Sequence, residues 1–500
     1  MKRKQVSGLT AKLAINALMA GSLTLLDSEI SEAAGNNNYK TPPFAPFSSQ
    51  MSDALLGGGK YELPVWNLHK TLNFPKWLDF SIEQRTRYET MDGRFRAGYK
   101  GSDQQIALQT DVFLQAHLGK FRTGVEFLDS RALAADSGSA LNNTQENLAA
   151  FVQGYIAWAD QNVLFSGIGA EVVAGRQTLN LGSRRLVARN AFRNTLNNFT
   201  GVSLRLLDYG NWQFNGFVTM PVIRYPTNTT ELLDNVYQAD EEDTHTWFSG
   251  GILEMNNFIF ENINAEVYLY HLDEGDSPDH QTRNRRYFTP GMRLYLKPKK
   301  SQFDFQLETI GQFGTVRSST AASDGTNLNH TAWYQHIDIG YTLDMPWKPR
   351  LAVEYDYASG DENPYDNKDQ RFDTLYGARR FEFGPTGIYG AFARSNINTP
   401  GLRIQFAPRT NLTFNARYRA FWLASDTDSW VTAKLRDPTG NTGSHVGEQV
   451  EMSARWNFNS SLNFETGWAH LFKGKFANNA PGAPAPVDVD YIYVQSLFRF

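Results

Sequence analysis

The chain of 500 residues contains no cysteine, which fits passage through an oxidising periplasm, where stray thiols would cross-link. It also lacks catalytic signatures: neither Gly-x-Ser-x-Gly nor His-Glu-x-x-His occurs, and there is no thiolate for a metal. The net charge of −4 argues against nucleic acid as a bulk partner. These absences favour a protein that is neither an enzyme nor a nucleic-acid binder.

Long apolar runs are also missing after the first thirty residues. A helical membrane protein would need runs of about 20 apolar residues to span a bilayer. The mean hydropathy of the chain is polar, yet 13% of its residues are aromatic. A membrane β-barrel has this composition, because its apolar residues occupy alternate positions and produce no continuous run.

The amino terminus is typical of a secretory signal. The basic residues Lys2, Arg3 and Lys4 precede a short apolar stretch, and small residues follow at Ser31 and Ala33. We therefore predict a signal peptide over residues 1–33. The proline-rich residues that follow predict an irregular leader over residues 34–76, which could lie at the periplasmic rim or enter the lumen.

In the remaining part of the chain, residues 77–500, apolar and polar residues alternate with a two-residue period. In the first such segment, Leu78–Glu89, apolar and charged residues take opposite faces, and the chain ends on another, Asp488–Phe500. A soluble sandwich could show the same alternation. About 18 segments recur, however, most of them near the ~9–11 residues that a tilted membrane strand needs. We expect the last segment to close a barrel against the first.

The connections between these segments alternate between short and long. Short polar turns such as Gly119–Lys120 separate long excursions such as residues 182–198 and 361–399. Outer-membrane barrels have short periplasmic turns and long extracellular loops. The sequence thus predicts an all-β protein: a transmembrane antiparallel β-barrel of about 18 strands in the bacterial outer membrane, in contact with its lipid and lipopolysaccharide.

Charged residues of both signs fall at the positions predicted to face the lumen. Arginine presents a planar fork of donors that binds carboxylates bidentately, so a chain of uronate sugars could pass from one arginine to the next. Alternatively, arginines and acids on neighbouring strands pair with each other and brace the wall. The predicted inward arginines are Arg85, Arg87, Arg176, Arg205, Arg285, Arg293, Arg350, Arg403, Arg417, Arg419 and Arg455.

Several short stretches, taken together and in order, resemble the alginate export family of outer-membrane β-barrels. The matching pieces are Arg87-Tyr-Glu89, Gly175-Arg-Gln177, Gly182-Ser-Arg-Arg-Leu186, Arg193-Asn194, Gly360-Asp361, Phe421-Trp422 with Asp426-Thr-Asp428, and Gly447-Glu-Gln-Val-Glu451. The resemblance implies a barrel that conducts a polysaccharide, in the best-known case an anionic polyuronate, through an arginine-rich constriction. By position, it suggests Arg176, Arg185, Arg193 and Glu451 as conduit residues.

We accordingly predict a channel for a polar, anionic polysaccharide, with a periplasmic export partner. The predicted conduit residues are Arg176, Arg185, Arg193, Arg205, Arg293, Arg417, Arg419, Arg455 and Glu451. The alternative is a porin for selective or passive uptake of small polar solutes. No cofactor is expected, although the acidic loop around Asp361 offers closely spaced oxygen ligands for Ca²⁺ without the spacing of an EF-hand.

Overall fold

In the computed structural model, the described residues are 64–163, 167–208 and 210–500. The predicted signal peptide and most of the predicted leader lie outside them. The described residues form a closed barrel of 18 antiparallel strands, as predicted. The strands are β1 (Leu78–Asp92), β2 (Asp103–Leu118), β3 (Phe121–Leu133), β4 (Asn147–Asp160), β5 (Ile168–Gln177), β6 (Phe199–Asp208), β7 (Trp212–Ile223), β8 (Thr246–Met255), β9 (Ile263–Glu274), β10 (Arg286–Leu296), β11 (Phe303–Arg317), β12 (Asn327–Thr342), β13 (Arg350–Ala358), β14 (Ile397–Arg409), β15 (Leu412–Trp422), β16 (His445–Asn457), β17 (Leu462–Lys473) and β18 (Val489–Arg499).

Strand β18 closes the barrel against β1. The pairing runs antiparallel from Glu83 opposite Arg499 to Asp92 opposite Asp490. The predicted closure is therefore confirmed, and it leaves no open sheet edge between the first and last strands. On β18 the buried Tyr493, Gln495 and Leu497 face the lumen, so the intervening residues face outward.

Outward positions are apolar and inward positions are polar along most strands. Ile156, Val353 and Leu402 remain 65%, 59% and 55% exposed because they face away from the lumen. Outward aromatic residues such as Trp333 and Trp456 mark the two rims, as in the aromatic girdles of membrane barrels. Among the described residues, no helix is long and apolar enough to cross a membrane.

Short turns lie at one end of the barrel and long loops at the other. Gly119, at φ +67°, makes the tight turn between β2 and β3, a conformation that side chains other than glycine rarely adopt. The long loops, numbered in chain order from L1 to L9, include L1 (residues 93–102), L2 (134–146), L3 (178–198) and L7 (359–396). The turn end is periplasmic and the loop end is extracellular.

Short helices and strands occur in the loops and the leader. The helices are α1 (Leu68–Thr71), α2 (Thr229–Leu233), α3 (Arg380–Phe383) and α4 (Lys475–Asn479), and the two-residue strands are Glu241–Glu242, Lys368–Asp369, Ser429–Trp430 and Leu435–Arg436. The leader precedes β1 at the periplasmic end, where the ring of Trp66 stacks on Phe498 and Phe500. Both phenylalanines have the outward phase of β18, so this part of the leader lies on the outer rim.

The hydrophobic core lies inside the barrel. Inward aromatic residues of the strands, such as Tyr287 and Tyr334, are fully buried against apolar residues of L3 and L7, such as Leu186 and Ile388. Burial of this apolar surface stabilises the two loops within the lumen. Their position matters for function because it narrows the path through the barrel.

Candidate functional site

Loops L3 and L7 pair with each other across the lumen. The backbone N–H of Tyr376 donates to the carbonyl of Leu186 at 3.0 Å, and the N–H of Ala188 donates to the carbonyl of Tyr376 at 3.2 Å. A third bond joins the N–H of Ala378 to the carbonyl of Arg184 at 3.0 Å. These bonds satisfy backbone groups that would otherwise be buried without partners. We call the paired loops the plug.

Loop L3 is fixed to the wall by buried charges. Arg185 binds Glu308 on β11, and it also lies 2.9 Å from a carboxylate oxygen of Glu382 in L7. Arg189 binds Glu126 on β3 and lies 3.2 Å from Asp111 on β2. Charge-assisted hydrogen bonds between buried groups are strong, so L3 is held at both sides of the barrel.

Loop L7 is held by other strands of the wall. The carbonyl of Phe381 accepts hydrogen bonds from Arg403 at 3.2 Å and from Arg417 at 2.6 Å. The N–H of Ile388 donates to Glu89 on β1 at 2.9 Å. The plug thus contacts both the middle of the chain and the closing seam.

The arginines of β13 to β16 form a ladder of ion pairs on the wall. Arg419 binds Asp356 at 2.6 Å, and both side chains are completely buried. Arg417 lies 3.1 Å from Glu354 and 3.2 Å from Glu451. These guanidinium groups therefore already have carboxylate partners within the wall.

Three other strand arginines among the predicted conduit residues are paired in the same way. Arg205 lies 2.9 Å from Glu171, Arg293 lies 2.7 Å from Glu266, and Arg455 lies 2.7 Å from Glu465. The structure therefore places these residues on the lumen wall but does not bring them together at one constriction. Arg455 differs from the others because its side chain is 40% exposed.

The prediction that Arg176 faces the lumen is wrong. On β5 the buried Glu171 and Gln177 face inward, so Arg176 has the outward phase. Its guanidinium lies 2.5 Å from Glu242 and over the ring of the outward Phe151. The two-residue period gave no unique phase here because Val172 and Val173 are adjacent apolar residues, one on each face.

Arg193 differs from the paired arginines. Among the described residues, its guanidinium has no carboxylate partner within ion-pairing distance, and its side chain is partly exposed. Enclosure in the barrel and the like charges of Arg379 and Arg224 lower its pKa to about 9. An anion would relieve this repulsion.

Two further arginines join Arg193, and the sequence did not single them out. Arg379 of L7 and Arg96 of L1 likewise have no carboxylate in ion-pair contact within the described part of the chain. Arg96 donates to the carbonyl of Ile388 at 2.8 Å and to the carbonyl of Tyr389. Tyr389 precedes Gly390, against which the terminal nitrogen of Arg379 lies. Burial lowers the pKa of each to about 10, and Arg379 also lowers that of Arg96. We call Arg96, Arg193 and Arg379 the arginine cluster.

The acidic loop around Asp361 lies in L7, near the extracellular rim. The N–H of Asp361 donates to Asp428 at 2.9 Å, and Asp428 also binds Arg371. Within the described ranges, no three histidine, aspartate or glutamate side chains converge as metal ligands would. A Ca²⁺ site at this loop stays a prediction.

The family model described as alginate export matches residues 76–487 of the chain. The chain belongs to the alginate export family. No curated protein is matched by the chain. This family member is therefore a channel of the bacterial outer membrane.

Solved structures share the fold of this alginate export family member. Pseudomonas aeruginosa OccK8 (OprE) is 12% identical, with a TM-score of 0.53 over 85% of this chain and 98% of that chain. OccK2 (OpdF) from the same organism is 14% identical with a TM-score of 0.53 over the same shares. OccK2 in complex with glucuronate is 13% identical with a TM-score of 0.51, again over 85% of this chain and 98% of that chain.

Proposed function

We propose that the channel conducts an anionic polysaccharide, and that the arginine cluster is the site that selects it. The observation that carries this proposal is the contrast between paired and unpaired guanidinium groups in the lumen. The wall arginines already have carboxylate partners, such as Asp356 for Arg419. Arg193 and Arg379 have none among the described residues, so they have donors to offer to a passing anion.

The chemistry of a polyuronate suits this cluster. Each sugar residue carries one carboxylate, and guanidinium binds carboxylate through two parallel hydrogen bonds. The cluster combines groups from L1, L3 and L7, so a carboxylate can pass from one loop to the next. Positive charges that repel each other in a low-dielectric lumen gain more from an anion than charges that are already neutralised.

The plug obstructs the path that a polysaccharide would take through the barrel. Loops L3 and L7 cross the lumen and are joined by backbone hydrogen bonds at Leu186, Ala188 and Tyr376. A polysaccharide chain therefore needs one of the loops to move aside. A periplasmic export partner that delivers the polymer would trigger this loop movement.

Uptake of a small polar solute is the second candidate function. The narrowing by the plug favours it, since a single sugar acid needs less room than a polymer. The similar barrel of OccK2 was solved in complex with glucuronate. Both candidates use an anionic sugar and the same cluster, and they differ in the size of the cargo.

Single-channel recording in planar bilayers tests the proposal. We expect an anion-preferring conductance that oligouronates block, with stronger block by longer oligomers. Block by glucuronate and no further gain with length would favour small-solute uptake. Cation preference without block by either compound would contradict both functions.

A further inference from the structure

The described part of the leader, residues 64–77, crosses the closing seam of the barrel. The ring of Trp66 stacks on Phe498 and Phe500 of the last strand, with centroids 6.2 Å and 6.1 Å apart. Its backbone N–H donates to the Ser461 hydroxyl in the turn before β17, at 2.8 Å. On the other side of the seam, the ring of Phe74 meets Phe80 of β1 edge-on at 5.5 Å.

These contacts place the segment on the lipid side of the barrel. Phe80 and Phe498 have the outward phase of their strands, because the neighbouring inward positions carry buried residues such as Leu497. They also lie at the periplasmic end, where β1 begins at Leu78 and β18 ends at Arg499. An outward position at this end lies at the headgroup level of the inner leaflet.

The segment exposes apolar side chains that its own contacts do not cover. Val65, Leu72 and Trp77 are 54%, 56% and 52% exposed. In water this exposure is unfavourable, whereas at a membrane interface such side chains enter the acyl boundary. Tryptophan in particular favours that interface, because its ring is apolar and its N–H is polar.

The charged side chains of the segment are all basic. Residues 64–77 contain the exposed Lys70 and Lys76 and no aspartate or glutamate. Lysine extends its apolar stem along a membrane and places its ammonium group among the headgroups. Basic residues close to a bilayer surface are attracted to anionic lipids.

We propose that residues 64–77 form an interfacial strap over the barrel seam that binds anionic phospholipid of the inner leaflet through Lys70 and Lys76. Val65, Leu72 and Trp77 anchor the strap in the acyl boundary, and Trp66 fixes it to the barrel. The strap adds a lipid-binding site to the channel, and it does not depend on which cargo the channel conducts.

Site-directed spin labelling tests the strap, because a chain without cysteine accepts a single label cleanly. A nitroxide is placed at Leu72→Cys in the full-length protein, reconstituted in phosphatidylcholine alone or with phosphatidylglycerol. Its accessibility to oxygen and to a water-soluble nickel chelate reports membrane depth. Lys70→Gln with Lys76→Gln removes both ammonium groups. Lys299→Gln with Lys300→Gln, in an exposed periplasmic turn, is the matched control.

With phosphatidylglycerol present, we expect the label to be oxygen-accessible and shielded from the chelate. The Lys70→Gln, Lys76→Gln variant should lose this shielding, and the turn control should keep it. High chelate accessibility in both lipids would contradict membrane docking. Equal shielding in both lipids, unchanged by the lysine substitutions, would contradict selection of anionic lipid. Heat-shifted gel mobility verifies that each barrel is folded.

Discussion

The wall of the lumen and the loops inside it use the same residue type in two different ways. On the wall, arginines such as Arg419 are buried against carboxylates; its partners Glu354 and Asp356 lie on β13, across the intervening strand β14. In the loops, Arg193 and Arg379 have no carboxylate partner among the described residues. The number of arginines in a lumen therefore does not indicate selectivity, whereas their pairing does.

Loss of a fully buried wall arginine should have the largest effect. Arg419→Met would remove the arginine that binds the completely buried Asp356, and breaking a buried pair in this way costs ~3–5 kcal/mol. Urea unfolding of the barrel in lipid vesicles measures this loss. Arg455→Met is the matched variant, because Arg455 pairs with Glu465 but is 40% exposed. Its loss should cost at most ~1 kcal/mol. Equal losses for the two variants would contradict the distinction by burial.

Separation of the two plug loops should raise the conductance. A Cβ atom at Gly377 would lie 1.7 Å from the carbonyl oxygen of Arg185, so Gly377→Val must push L7 away from L3. We expect single-channel conductance to rise several-fold while the wall stays folded. Gly325→Val is the control, since a Cβ atom there would meet open space. A folded Gly377→Val channel with unchanged conductance would show that the plug does not limit flow.

Substitution in the arginine cluster should change selectivity and spare stability. Arg193→Gln with Arg379→Gln removes two repelling charges that have no carboxylate partner in the described chain, so the barrel loses no ion pair. The anion-to-cation permeability ratio, obtained from the reversal potential in a salt gradient, should fall towards unity. Arg409→Gln, at the exposed periplasmic end of β14, should leave this ratio unchanged. A loss of folding in the double variant would assign the two arginines to bracing instead.

The smallest effect concerns a buried carboxyl group. Glu146 in L2 is fully buried, and burial raises its pKa to about 8, against the smaller lowering effect of the backbone at Ala132. The folded state therefore holds a proton that the unfolded state releases above its ordinary pKa of about 4.3. The stability of the protein should fall as pH rises from about 4.5 towards 8. Glu146→Gln should flatten this part of the pH dependence of urea unfolding, and an unchanged slope would contradict it.

The sequence was sufficient to predict the barrel because strands repeat every two residues. Both Leu78–Glu89 and Asp488–Phe500 could be assigned from this period, and a closed barrel requires the first and last strands to pair. The period also gave the inward face of most strands, including Arg417 and Arg419. It failed on β5, where the adjacent Val172 and Val173 concealed the phase of Arg176.

The plug could not be predicted in the same way. Residues of L3 and L7 carry no period, and their positions depend on distant contacts such as those of Arg185 with Glu308 and Phe381 with Arg417. Arg193 was found only through resemblance to the family, and Arg96 and Arg379 were missed. Pairing between loop and wall is a property of tertiary structure, so no local pattern reports which arginines lack a partner.

The rate at which oligouronates block single channels measures how strongly the arginine cluster attracts its cargo. We expect rapid block of the wild-type channel, much slower block of the Arg193→Gln, Arg379→Gln variant, and wild-type block when Arg455→Gln removes a paired wall arginine. Equal block rates in the three channels would contradict the claim that the unpaired loop arginines select the cargo.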